Sequence, residues 1–273
     1  EVITDDYHWL REKTNPKVIA YLNAENAYTE AMTKDLGALT QTLYKEMKSR
    51  LKETDLSVPI RRGNFYYYSH TKAGEQYQIH YRRLAKADFS YDAHAKEMLL
   101  LDENQLAKDQ PFFDLNSVAV SPDGRYLAYS TDTTGYRQYT LYIKDLNSGQ
   151  LLSDTFARVT SIAWAADNQT VFLVQEDAIT KRADLLLRMK LGHPPVEVYR
   201  EAVEQFSLWI HKSHDQRFIL LNAESTDTHE VRILPANQPQ DLFRSVLGRT
   251  TGHRYSVDHR EGELFILTNQ SAN

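Results

Sequence analysis

Asp123-Gly-Arg-Tyr-Leu-Ala-Tyr129, Asp167-Asn-Gln-Thr-Val-Phe-Leu173, Asp215-Gln-Arg-Phe-Ile-Leu-Leu221 and Glu261-Gly-Glu-Leu-Phe-Ile-Leu267 repeat one short pattern, a turn that opens on an acid followed by an apolar strand. The copies begin at 123, 167, 215 and 261, so they lie 44, 48 and 46 residues apart. Upstream of each turn runs a second apolar strand: Val118-Ala-Val120, Ile162-Ala-Trp164, Phe206-Ser-Leu-Trp209 and Tyr255-Ser-Val257. Strand, tight turn and strand at this period mark a four-stranded propeller blade, which must stack on its neighbours to bury both faces. Arg62-Gly-Asn-Phe-Tyr-Tyr67 begins an earlier copy, 61 residues before Asp123, because Ala85 to Ala95 is a polar insertion. Five blade starts result, the last cut off two strands in. The expectation is a fragment of a longer protein, since an incomplete blade leaves a bare sheet edge.

Outward from the repeat, short runs rich in Tyr, Val, Ile and Thr predict strands over 65–70, 76–83, 97–101, 117–120, 126–130 and 139–146, with all-β structure from Pro59 to the end. Before Pro59 the pattern changes to helical. Asn15-Pro16 reads as an N-cap with proline at the first helical position. Val18, Tyr21, Leu22, Tyr28 and Met32, then Leu36, Leu39, Leu43, Met47 and Leu51, recur at intervals of mostly three and four, predicting one or two helices over about 16–52 with a break allowed at Gly37. The expected fold class is therefore mainly β: a helical segment at 1–56, then an incomplete β-propeller of about four and a half blades at 57–273.

Composition removes several function classes. The 273 residues carry 37 acidic and 32 basic side chains, a net charge of −5, and no basic block longer than a pair such as Arg61-Arg62. No nucleic-acid partner is expected from such a surface. Without cysteine there is neither a disulfide framework nor a thiolate metal site. No apolar run approaches the roughly 18 residues of a membrane span, so no membrane partner is expected. The start, Glu1-Val-Ile-Thr-Asp-Asp6, lacks a signal-peptide pattern but is not Met, which leaves room for a removed leader. A cytoplasmic location is expected, with the periplasm also open.

Four stretches carry a family resemblance: Asp5-Asp-Tyr-His-Trp-Leu-Arg11, Ala24-Glu-Asn-Ala-Tyr-Thr-Glu30, the strand pair from Phe65 to Arg83, and Leu100-Leu-Asp-Glu-Asn104 running on through Ala119 to Gly135 and Gln138 to Leu146. In that order they resemble the prolyl oligopeptidase family of serine peptidases, and within it the oligopeptidase B branch. The resemblance implies a seven-bladed propeller over a C-terminal α/β-hydrolase domain, against which the N-terminal helices pack. It further implies short peptides as substrates, cleaved after Arg or Lys, with the post-proline branch as the alternative.

Such a peptidase needs a Gly-x-Ser-x-Gly elbow, and this sequence has none, so no catalytic residue is assigned within it. Ser121 precedes Pro122 in a hairpin turn, where its hydroxyl is expected to bond the turn backbone. His211 and His214 lie on a strand end without a third ligand, and neither a metal nor a cofactor is expected. No phosphate-binding loop occurs, and Asn168-Gln-Thr170 and Asn269-Gln-Ser271, which match glycan acceptors, are assigned no role. One stretch is a candidate for interdomain gating: Asp132-Thr-Thr-Gly-Tyr-Arg137 combines an acid, a turn and a base, with Asp132 and Arg137 as its charged members. Two other classes stay open. One is a self-contained propeller scaffold for protein interaction. The other is a small-molecule propeller enzyme, which would need carboxylates converging from innermost strands, and no acid repeats there.

Overall fold

The structure, a computed structural model, describes residues 4–272. The expected assignments touching Glu1, Val2, Ile3 and Asn273 lie outside the described residues. Two units divide between Thr54 and Asp55.

In the first unit, a 3-10 turn at His8–Arg11 precedes helix α1 (Pro16–Thr33), a second 3-10 turn at Lys34–Leu36, and helix α2 (Gly37–Ser49). Asn15 caps α1 as its sequence requires: the side chain accepts from the Lys17 amide at 3.0 Å, and Pro16 occupies the first turn. Leu22, Met32, Leu39, Leu43 and Met47 remain exposed along the two helices.

In the second unit, strands β1 (Asp55–Leu56) and β2 (Ile60–Arg62) both pair with β3 (Phe65–Thr71), followed by β4 (Ile79–Leu84) and β5 (Met98–Asp102). The innermost strand of this first blade is thus split at Ser57-Val58-Pro59, where proline has no N–H to give the ladder. A short helix α3 (Glu103–Ala107) follows, with Asp102 accepting from the Asn104 and Gln105 amides. It corrects the expectation of unbroken β structure after Pro59. The next blades are β6 (Asp114–Val120), β7 (Tyr126–Asp132), β8 (Thr140–Asp145) and β9 (Leu151–Ala157); β10 (Val159–Trp164), β11 (Thr170–Glu176), β12 (Ala183–Lys190) and β13 (Val196–Arg200); and β14 (Ser207–Lys212), β15 (Phe218–Glu224), β16 (His229–Pro235) and β17 (Arg244–Ser245). Each is an antiparallel sheet in sequence order, and β18 (Tyr255–Arg260) with β19 (Glu263–Thr268) forms a fifth, two-stranded sheet.

Burial follows position in the stack. β7, β11 and β15 are buried along nearly their whole length because both their faces meet other blades, whereas the outermost β9 alternates half-buried and exposed residues. Along β11, Phe172 and Val174 join the core shared with Leu208, Ile210, Ile219 and Leu221 of the following blade. Val171 and Leu173 point the other way, into the core shared with Ala128, Leu141 and Ile143. One strand therefore seals two interfaces.

The turns carry their own logic. Ser121 Oγ donates to Asp123 and accepts from the Tyr126 amide at 2.9 Å, and Ser213 repeats this with Asp215 and the Phe218 amide at 3.0 Å. Gly124 has φ +78°, and a Cβ there would stand 3.1 Å from both Arg82 Nη1 and the Phe65 ring of the preceding blade. The Arg82 guanidinium, itself over the Phe65 ring, donates to the Gly124 carbonyl. Gly124→Ala should therefore strain the backbone and push on a neighbouring blade together, lowering stability by about 1–3 kcal/mol. Urea unfolding of the variant beside the parent chain checks this, and an unchanged midpoint would refute the close approach.

Candidate functional site

A cavity of 870 Å³ is walled by residues from the first four blades, among them Ile60, Val118, Ile162, Trp164, His211 and Lys212. Trp164 is 2% exposed overall, and its indole N–H donates to the Ala119 carbonyl at 3.0 Å. His211 stacks on Trp209 with ring centroids 4.6 Å apart, and its Nδ1 accepts from the Asn222 amide at 3.2 Å. Burial pushes the His211 pKa down, opposed by the carboxylates of Asp258 and Glu224. The Lys212 ammonium is also pushed down, by burial alone. A second, shallower space of 540 Å³ adjoins His80, whose Nε2 donates to Glu103 at 2.6 Å.

The gating candidates are built differently from an acid–base pair. Asp132, 1% exposed, ends β7. It accepts from the Thr134 amide at 2.8 Å, the Thr134 hydroxyl at 2.6 Å and the backbone amide of Arg137 at 2.7 Å. Burial acts to raise its pKa, but these donors prevail and hold it below the usual carboxylate range. Arg137 meets Asp132 through its main chain, at φ +57°, and is exposed beside Tyr136. Neither residue lines the 870 Å³ cavity.

Ser, Asp and His side chains do meet at the blade-4 turn, in an order that does not make a nucleophile. His259 Nδ1 donates to Asp215 Oδ2 at 2.7 Å, but Ser213 Oγ donates to Asp215 rather than to His259 and is buried in its turn. Acids occupy innermost strands at Asp114, the first residue of β6, and at Asp258, the fourth of β18, which are not equivalent positions of the repeat. Each is engaged locally: Asp114 by the Tyr139 hydroxyl, Asp258 by the His214 and His259 amides. Among the described residues, no three His, Asp or Glu side chains group as a metal site.

Sequence reading missed a buried ionic network. Arg249, between β17 and β18, bonds Glu201 with two nitrogens and Glu230 at 2.8 Å, and lies 4.0 Å over the Phe206 ring. The Tyr199 hydroxyl donates to Glu201 at 2.8 Å, and Arg232 reaches Glu230 at 3.1 Å. Glu201 and Glu230 are 2% and 4% exposed. No motif announces such a set, because Glu201 and Arg249 stand 48 residues apart in irregular segments.

The family model for the prolyl oligopeptidase N-terminal β-propeller domain matches residues 1–273. The chain belongs to the prolyl oligopeptidase family. Dipeptidyl aminopeptidase BI of Pseudoxanthomonas mexicana is 36% identical over 97% of the chain and 39% of its own length. Protease 2 of Moraxella lacunata is 33% identical over 100% of the chain and 40% of its own. Among solved structures, oligopeptidase B from Leishmania major matches with TM-score 0.87 at 29% identity, over 98% of this chain and 38% of that one. The closed, antipain-bound oligopeptidase B from Trypanosoma brucei matches with TM-score 0.83 at 28% identity, over the same shares. The chain thus spans about two fifths of the relatives it matches, as the propeller domain of a prolyl oligopeptidase family peptidase.

Within that propeller the Arg249 network yields a pH-dependent expectation. Burial acts to raise the Glu201 pKa, but Arg249, the Val203 amide and Tyr199 together hold it low. A depressed carboxylate contributes stability that is complete above its unfolded pKa and fades as pH falls through its folded one. Arg249→Met removes the cation from buried Glu201, while Glu230 keeps Arg232, and should cost about 3–5 kcal/mol at neutral pH. The deficit should shrink toward about pH 4, where the stranded Glu201 takes up a proton. Urea unfolding at the two pH values measures both; a deficit independent of pH would refute the electrostatic origin.

Proposed function

We propose that this chain is the substrate-gating propeller part of a serine oligopeptidase that hydrolyses short peptides after Arg or Lys. The observation that carries the reading is the fit of the chain to oligopeptidase B along 98% of its length at 29% identity. Protease 2, at 33% identity, points the same way. In this reading the stacked blades frame a channel that passes an extended peptide and excludes a folded protein. The helical segment packs on a C-terminal α/β-hydrolase domain of the same parent chain, and the protein works in the cytoplasm. The hydrolase domain supplies acyl transfer: a serine attacks the peptide carbonyl, a histidine moves the proton, and an aspartate orients the histidine.

Opening and closing of the two domains is assigned to the Asp132–Arg137 turn among others. Asp132 fixes the backbone of the turn, and Arg137 and Tyr136 are left free to meet a partner surface. In the full-length protein, Arg137→Ala should change peptide turnover severalfold while the melting temperature stays put. Unchanged kinetics would remove the gating assignment.

A second reading has its own support, the 36% identity to a dipeptidyl aminopeptidase. It differs in requiring a free peptide N-terminus. The full-length protein and this chain, assayed on peptide amides ending in Arg, Lys or Pro with blocked and free N-termini, separate the readings. Cleavage of blocked Arg and Lys substrates by the long form alone, abolished by a serine-directed inhibitor, is the expected result. Cleavage after Pro, or only of free dipeptidyl substrates, would replace it.

A further inference from the structure

The first strand of the fourth blade carries a residue that breaks the repeat. In blades 2 to 5 the first two strands close beside their turn on the pairs Ser121 with Tyr126, Ala165 with Thr170, Ser213 with Phe218 and Arg260 with Glu263. Four residues before these closing positions stand Ser117, Ser161, Trp209 and Ser256. Three blades place a hydroxyl where the fourth places an indole. β14 is the end strand of its sheet, and Trp209 is 39% exposed, although its side of the blade faces the core of Leu220, Val231, Tyr255 and Val257.

The ladder fixes what shares that face. Ser207 stands opposite Glu224, Trp209 opposite Asn222 and His211 opposite Leu220, so the six side chains lie on one side of the β14–β15 pair. His211 covers one face of the indole, with 4.6 Å between ring centroids and 17° between planes, and the Asn222 amide holds the imidazole by its Nδ1 at 3.2 Å. The other indole face borders Ser207, two residues earlier. Ser207 is small and exposed, and its hydroxyl has no hydrogen bond among the described residues.

Glu224, across from Ser207, has a side chain 36% exposed and is near enough to act on the His211 ring. No hydrogen bond among the described residues reaches its carboxylate, and no Lys or Arg there pairs with it. His229 Nδ1 lies 3.9 Å away, beyond hydrogen-bond reach. A half-exposed carboxylate with its acceptors unused therefore stands diagonally across the ladder from an indole whose free face is held in a fixed orientation. A π-face and an anion so placed suit a planar cation, which lies on the ring and donates from its edge.

We propose that Trp209 and Glu224 form a slot, floored by Ser207, for the cationic side chain of a peptide, arginine above all. The guanidinium lies on the open indole face and its N–H groups donate to Glu224. The choice of a peptide as ligand rests on the peptidase reading, but the slot does not depend on which bond is cleaved.

The test is fluorescence anisotropy of the peptide Ala-Ala-Arg-Ala-Ala, labelled at its N-terminus and amidated, beside the same peptide with neutral citrulline for arginine, titrated with this chain at low salt. The arginine peptide should bind about fivefold more tightly. Trp209→Leu and Glu224→Gln should each remove most of that preference. Glu224→Gln should also leave the melting temperature in place, because the carboxylate has no hydrogen bond to lose, so it decides the matter should the leucine variant fail to fold. Absence of saturable binding, equal binding of the two peptides, or a preference that survives Glu224→Gln would overturn the proposal. An effect of Glu224→Gln in this chain but not in the full-length protein would give the slot to a cation of the parent itself and overturn the peptide as its ligand. The peptidase reading fails separately: a full-length protein that does not cleave after Arg or Lys, with the preference intact here, loses that reading and keeps the slot.

Discussion

Each blade has two apolar faces and can cover neither by itself, so everything in the sheet unit depends on blade stacking. The polar contacts that set the stacking register join residues one repeat apart. The Asn116 amide donates to the Thr160 carbonyl, the Trp164 indole to the Ala119 carbonyl, the Ile210 amide to Ser161 Oγ, and the Asp123 amide to Asn168 Oδ1. These partners are separated by 44, 45, 49 and 45 residues, which is the spacing of the turns themselves. Hydrogen bonds thus index one blade on the next, while apolar burial on both sides of β7, β11 and β15 supplies the driving force.

Most of the charge buried in the stack is paired. In the Arg249 network two carboxylates, Glu201 in the connection after β13 and Glu230 on β16, share one guanidinium, and Tyr199 and Arg232 complete the set. An ionic cluster of this kind is weak as a source of stability compared with an apolar replacement, yet strongly unfavourable to break in half. Its effect is therefore directional. It penalises any arrangement in which the connections leading into blades 4 and 5 are displaced, because one carboxylate would then be left in a low-dielectric interior without its cation.

The fold was legible because the repeat is written twice, in turn chemistry and in strand hydrophobicity. Ser121-Pro-Asp-Gly124 and Ser213-His-Asp-Gln216 adopt the same side-chain bonding even though only one of them has the common sequence. Boundaries were less legible where side chains replace a strand partner. Residues 76–78 read as strand, but the Asn104 side chain takes both the amide and the carbonyl of Tyr77 at 3.0 Å, and the ladder of β4 begins at Ile79. The same region hides α3, whose five residues are too few for a helical period although Asp102 is a capping residue by type. At the gating candidate, sequence identified an acid and a base five residues apart. It did not reveal that the acid binds the backbone of the base, because Asp and Arg side-chain pairing and an Asx-type turn share the same spelling.

The sign of the cavity was hidden for a related reason. A net charge of −5 suggests an acidic interior as readily as an acidic rim. In the folded chain the acids are drawn into turns, where short carboxylates satisfy backbone amides that no strand partner reaches. Asp123, Asp145, Asp167, Asp177 and Asp215 each accept at least one such amide. Turn duty engages these carboxylates with backbone amides, and the cavity wall combines strand residues with turn positions such as Gly63, Pro122 and Gln216, none of them acidic. Arg62 and Lys212 stand on that wall without a carboxylate among its lining. A propeller whose turns engage its acids in backbone hydrogen bonds acquires a cavity lining more positive than its overall composition.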